Sequence, residues 1–286
     1  MGKKDGGIDG KKRKKNFYKN FNKRNTGKKV EPDMKGFLVT FEKKEYDAVR
    51  DCFSILSEYA EKLWGPEETT EEGDDVQEDF EQELKALRQR DFSQRRFQKL
   101  KTDVPGNFFM RTTVEDPARL VTAILEDIKT SGKQKSRYIL RLLPILATCK
   151  AHVENIRKAT ETVLSEYTGC PEGARYLIVH RIRNNDEIKN APLTSEIIEV
   201  VKQVKPSWVP DLKEPQVILM IDVLRKVGCI SLLKDYYDYK KYNIHALSKS
   251  EEDRAEGKRV EECKQDEAEP PKKKLKKEDE REKQSA

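Results

Sequence analysis

The stretch DPARLVTAILEDIKTSGKQKSRYILRLLP, residues 116–144, holds a complete helix-to-strand passage and sets the reading of the chain around it. Asp116 offers a side-chain acceptor to the free N–H groups of a first helical turn, and Pro117 at the next position has no N–H to leave unpaired. Leu120, Val121, Ile124, Leu125 and Ile128 recur at the spacing of one helix face, and Gly132 is the stop signal. Tyr138–Leu143 then reads as a short strand, with Pro144 expected to end its ladder for want of a donor. Through this passage run Lys133, Lys135, Arg137 and Arg141, and strict alternation puts Arg137 and Arg141 on one strand face with Ile139 between them.

Toward the C-terminus the same grammar repeats. Thr148 is expected to cap a helix carrying Val153, Ile156, Val163, Leu164 and Tyr167 on one face, stopped by Gly169 and Pro171. Arg175–Ile182 reads as a strand and Ser195–Val204 as a helix burying Ile197, Ile198, Val201 and Val204. Gln216–Val223 and Gly228–Leu233 read as two further strands. Alternating strands and helices predict a mixed sheet with helices packed on it. Toward the N-terminus, Gly36–Phe41 (GFLVTF) and Phe108–Thr112 read as strands. Between them Ala48, Cys52, Ile55, Leu56, Tyr59 and Leu63 form a helical stripe halted at Gly65-Pro66, and Val76, Phe80, Leu84 and Leu87 predict a second helix. The expected fold is therefore α/β (α+β): a small ferredoxin-like domain over 35–113 and a second domain over 114–247. A basic arm at 1–34 and a charged tail at 248–286, both expected to be disordered, flank them.

Charge is segregated. Residues 1–29 hold twelve Lys/Arg and two Asp, residues 65–83 hold ten Asp/Glu and no base, and residues 84–247 carry a net +10 within a chain of net +6. A basic folded unit points to a polyanion as partner. No run approaches the roughly 18 apolar residues of a membrane span, and no apolar stretch follows the Lys-rich start, so neither a membrane nor a secretory route is expected. The five cysteines, at 52, 149, 170, 229 and 263, include no C-x-x-C pair; buried reduced thiols at Cys52, Cys149 and Cys229 are expected, with no metal and no cofactor. His152, His180 and His245 have no partner spacing, and no phosphate-loop, dinucleotide, zincin or nucleophile-elbow motif is present. Catalytic residues are thus expected to be absent.

Basic side chains form three groups: Lys133, Lys135, Arg137 and Arg141; then Arg181 and Arg183 with Asn184 and Asn185; then Lys234, Lys240 and Lys241 interleaved with Tyr236, Tyr237, Tyr239 and Tyr242. Guanidinium and amide groups at a strand exit can bond phosphates and base edges, and tyrosine faces can stack unpaired bases. The same tyrosines could instead pack on a neighbouring helix, and the basic groups could be ordinary solvated faces. The runs Lys11–Lys15 and Lys272–Lys277 match nuclear import signals and could equally be RNA-contacting tails.

Arg141-Leu142-Leu143-Pro144, the Thr-Cys-Lys-Ala of 148–151, Arg181-Ile182-Arg183-Asn184-Asn185, Asp211-Leu212-Lys213-Glu214-Pro215, and Leu233–Tyr236 running to Lys240–Asn243 together resemble a THUMP domain. With the preceding small domain, over about residues 36–245, the chain resembles the eukaryotic THUMP-domain tRNA acetylation adaptors. The resemblance implies a non-catalytic protein, and the basic runs, one at each end, favour the nucleus, or within it the nucleolus. It would grip the acceptor end and 3′ terminus of a tRNA and present it to an RNA cytidine acetyltransferase that forms N4-acetylcytidine; no DNA partner is implied. The expected RNA contacts are Lys133, Lys135, Arg137, Arg141, Lys150, Arg181, Arg183, Asn184, Lys234, Lys240 and Lys241, with Arg141 alternatively holding a carboxylate inside the domain. A general structured-RNA factor in RNA processing or ribosome assembly, and a modifying enzyme in its own right, are the competing readings.

Overall fold

The structure is a computed structural model and describes residues 28–66 and 95–248. Strand β1 (Gly36–Phe41) leads into helix α1 (Glu45–Trp64), whose stripe Ala48, Val49, Cys52, Phe53, Ile55, Leu56, Tyr59 and Ala60 is buried. The chain returns through β2 (Phe97–Lys101) and β3 (Asn107–Thr112). Helix α2 (Pro117–Ser131) starts where Asp116 accepts the Arg119 N–H at 3.0 Å and ends at Gly132 in the left-handed conformation. Strand β4 (Ile139–Ile145) follows. The sheet order is β2-β3-β1-β4 with antiparallel neighbours, the split β-α-β-β-α-β arrangement of a ferredoxin-like unit.

The passage at 116–144 thus completes the first sheet, and the division expected between residues 113 and 114 runs through it. Periodicity alone makes β4 an apolar strand; only the pairing of Gly36 with Ile145 through Thr40 with Arg141 assigns it to β1. Pro144 does not end the ladder. It sits opposite Phe37 in a strand on the sheet edge, where a missing donor is tolerated. Between the pairs Thr40–Arg141 and Phe41–Ile139 the register shifts, so the alternation expected to align Arg137 with Arg141 is interrupted, and Arg137 lies outside the strand.

The second sheet has the order β5-β9-β8-β6-β7. It comprises β5 (Ala147–Lys150), β6 (Arg175–Arg183), β7 (Val209–Pro210), β8 (Val217–Leu224) and β9 (Val227–Lys234), with β6 parallel to both β7 and β8. Helices α3 (Val153–Glu166) and α4 (Asn190–Val204) cover one face, burying Ile156, Val163, Leu164, Leu193, Ile197, Val200 and Val201 against Val217, Leu219, Ile221 and Val223. The opposite face of β8, with Ile218, Met220 and Leu224, shares a core with Phe37, Leu38, Ile139 and Leu142 of the first sheet. Cys52, Cys149 and Cys229 are buried free thiols, as expected.

Thr148 does not cap α3. Residues 147–150 extend along β9, and α3 begins at Val153 with His152 before it and no side-chain cap. The Thr148 hydroxyl instead donates to Glu31 O at 2.7 Å and accepts from Met34 N at 2.9 Å. Residues 28–34, expected to belong to a disordered arm, are ordered as a strap. Val30 N donates to Lys101 O, Lys101 N to Lys28 O and Asp33 N to Thr148 O, so the strap bonds β2 of the first sheet and β5 of the second. β2, β5 and β7 were not foreseen. The helix expected around Val76–Leu87, most of the acidic stretch, the arm before residue 28 and the tail after 248 lie outside the described residues.

Replacing Thr148 with Val keeps the shape and leaves the Met34 N–H and Glu31 C=O without their partner, and is expected to lower unfolding stability by roughly 1–2 kcal/mol. Urea denaturation checks the loss, and faster hydrogen exchange at the Met34 amide locates it.

Candidate nucleic-acid interface

On β6 the period of two sends Leu177 and Val179 into the core shared by the two sheets and carries Arg181 and Arg183 onto the same face near the strand end. Arg181 lies beside Asp222 of β8, and Arg183 beside Leu224. Arg181 Nη2 donates to the Tyr236 hydroxyl at 2.9 Å. Arg183 Nη1 donates at 2.7 Å to Asn107 Oδ1, which also accepts from the Thr40 hydroxyl. Arg141 stands opposite Thr40 and forms a backbone bridge with Asn243. Arg181 is thus the cross-strand neighbour of a buried carboxylate, with Arg183 next on the same face and Arg141 on the first sheet; burial holds the Asp222 carboxyl above its ordinary range, and the charges of Arg181, Arg183 and Arg141 offset part of that rise.

The remaining expected contacts divide. Lys133 and Arg137 are exposed before β4. Lys135 turns inward, 3.2 Å from Glu58 and 3.4 Å from Asp127, with its ammonium over the Tyr59 ring. Lys240 and Lys241 are exposed on a short turn over Lys240–Tyr242. Its three residues have φ of 50°, 61° and 58°, a left-handed run without glycine. Tyr242 holds the turn down, its ring packed against Tyr236 and Tyr239 and its hydroxyl donating to Lys234 O at 3.0 Å. Tyr236, Tyr239 and Tyr242 are buried, so the packing alternative holds for them, and Tyr237 alone of the four shows an exposed ring.

Lys150 and Asn184 line a depression of about 690 Å³ together with His152, Asn185, Arg225 and Lys226. Lys234 lies apart from them, in a hollow of about 610 Å³ with Lys35, Arg119 and Tyr167. Arg225 and Lys226 were missed from sequence. They form the two-residue turn joining β8 to β9, with Arg225 at a φ of 55°, and a basic pair between two apolar runs was the available signal. Of the histidines, His180 faces Thr194 on the helix side of the second sheet, and His152 and His245 stand before α3 and in the short helix α5 (Ile244–Leu247). Among the described residues no group of His, Cys, Asp and Glu is placed to hold a metal, and no helix is long and apolar enough to cross a membrane.

The Homo sapiens protein called THUMP domain-containing protein 1 is 31% identical over 237 residues, covering 79% of this chain and 67% of its own length. The chain belongs to the THUMP domain-containing protein 1 family. The Bos taurus member is 32% identical over 237 residues, with 79% and 66% covered, so the chain spans about two thirds of these relatives. A Saccharomyces cerevisiae protein named tRNA acetyltransferase TAN1 is 22% identical over 154 residues, about half of each chain. A 4-thiouridine synthetase solved with RNA and ATP matches at a TM-score of 0.40 and 12% identity, over 70% of this chain and 41% of that one. No established family profile matches.

Lys241→Gly removes a left-handed strain of roughly 1–2 kcal/mol and is expected to raise stability by about 1 kcal/mol, whereas Lys241→Ala is not; paired urea titrations distinguish them. Glu58 is held below its usual range mainly by its bond from Lys62, with Lys135 adding to it, and Asp127 by its bond from Tyr59 and then Lys135. Carboxylates with lowered folded values stabilise above their ordinary range and lose that contribution as the pH falls below about 4. Lys135→Met is therefore expected to cost up to about 1 kcal/mol near neutral pH, because exposed pairs are worth little, and to flatten the acid limb of a stability-against-pH curve.

Proposed function

We propose that this protein binds tRNA and presents it, without catalysing the reaction, to an RNA cytidine acetyltransferase that forms N4-acetylcytidine. The observation that carries this reading is the meeting of Arg141, Arg181 and Arg183 between the two sheets, with the exposed Lys240 and Lys241 turn joined to Arg141 through the Asn243 bridge. Guanidinium forks in a partly enclosed site suit phosphate oxygens, and flanking lysines add charge that does not depend on base sequence. Family membership supports an RNA-binding role in tRNA modification, and the name of the yeast relative supports acetylation as the modification. In this reading Lys133, Arg137, Arg141, Arg181, Arg183, Lys240 and Lys241 receive the acceptor end and 3′ terminus. Lys150, Asn184 and Lys234 serve outlying phosphates, and Lys135 makes its contact only by leaving Glu58 and Asp127. The basic runs at 11–15 and 272–277 support action in the nucleus.

A catalytic reading is favoured by one observation, the yeast relative's own name. Incubating the purified protein with tRNA and acetyl-CoA, with and without the acetyltransferase, separates the two: acetylcytidine is expected only when both proteins are present. Product from this protein alone would overturn the adaptor reading. Log K for tRNA is expected to fall by about 0.7–0.9 per neutralised phosphate for each tenfold rise in salt. Arg137→Ala together with Lys240→Ala and Lys241→Ala is expected to lower that slope without lowering the melting temperature. Equal affinity for tRNA and an arbitrary structured RNA would favour a general RNA-binding factor instead.

A further inference from the structure

Strand β8 reads VILMIDVL, and every residue in it is buried. Asp222 is its one charged member, with 0% exposure. Neither of its carboxylate oxygens has a hydrogen-bond partner, and neither do Arg181 Nη1 and the Ser231 hydroxyl, which are buried on the same sheet face. A carboxylate without donors is expensive to bury, and an apolar residue would fill this place in an otherwise apolar strand at no such penalty. The charges that act on it are the guanidiniums of Arg181 and Arg183 from the second sheet and Arg141 from the first. Three guanidiniums brought together repel one another, and a single buried negative charge leaves the group at a net +2.

We propose that Asp222 is a positioning residue, a buried counter-charge that gathers Arg141, Arg181 and Arg183 at one point between the two sheets so that they meet an RNA phosphate as a preformed group. The proposal rests on the tRNA-binding reading above for its ligand, but not for its geometry. Preorganisation matters because side chains already held in place lose little freedom on binding. Tyr236 and Asn107 complete the arrangement by taking one N–H each from Arg181 and Arg183, while Arg181 Nη1 stays buried without a partner on the face that carries Asp222.

Asp222→Asn keeps the shape and removes the charge, and two physical pictures give it opposite signs. Were Asp222 merely a negative charge subtracted from a positive surface, the variant would bind tRNA more tightly with a steeper salt dependence. Positioning predicts the reverse: affinity lower by about tenfold, and a slope of log K against log salt reduced by about one phosphate, ~0.7–0.9. A change of fold stability alone would not move that slope. NMR of the arginine Nε–Hε groups reads the positioning without RNA. Three dispersed, exchange-protected signals are expected in the native protein and their collapse in the variant, and unchanged dispersion would overturn the inference whatever the tRNA does. Failure of the native protein to bind tRNA would sink the proposed function and leave this NMR comparison decisive. Should Asp222→Asn not fold, Asp222→Asn with Arg141→Gln restores the net +2. It is expected to fold with the Arg181 and Arg183 signals collapsed, and native-like signals there would equally overturn the proposal.

Discussion

One strand belongs to two cores. β8 gives Val217, Leu219, Ile221 and Val223 to the helices α3 and α4, and Ile218, Met220 and Leu224 to the sheet that contains β1. A strand buried on both faces must be apolar almost throughout, which fixes its place at the centre of the second sheet and its register with β6 and β9. Any polar group placed there is out of reach of solvent and depends on the side chains around it, from either sheet. The position of the arginine cluster follows from this constraint.

What could be read from the sequence was local. The stripe of α1, the Asp116-Pro117 start and Gly132 stop of α2, and the cores of β6, β8 and β9 are each written in a spacing or a cap, and each is found where expected. What escaped was decided by partners distant in the chain. Thr148 looks like a helix cap until Glu31 and Met34 claim its hydroxyl; Pro144 looks like a terminator until β4 is seen on an edge; and the alternation through Ile139 holds until the register shift against β1 breaks it. β2, with Gln98, Lys99 and Lys101 among five residues, has too little apolar content to stand out before β3 pairs with it.

The same division governs the candidate interface. Composition identified a basic half, the strand-exit pattern picked out Arg181 and Arg183, and the basic group leading into β4 picked out Arg141; all three act on the Asp222 carboxyl in the folded chain. Spacing could not separate a lysine offered to solvent from one answered inside the protein: Lys133 and Lys135 are two residues apart, yet only Lys135 meets Glu58 and Asp127. The tyrosines after β9 were ambiguous for a related reason, since a side chain with an apolar ring and a polar tip suits either a surface or a core. The left-handed turn settles the matter by burying Tyr242 beneath the lysines that precede it.

The strap at residues 28–34 carries a consequence for how this chain can be divided. It bonds to β2 on one side and to β5 on the other, and β4 closes the first sheet from within the segment that resembles an independent module. A cut made at the boundary suggested by sequence would strip β4 from β1, uncover Leu142, Leu143 and Ile145, and part the strap from β5. The two sheets thus belong to one compact unit, and a foreign domain put in place of either would have to rebuild the seam between them.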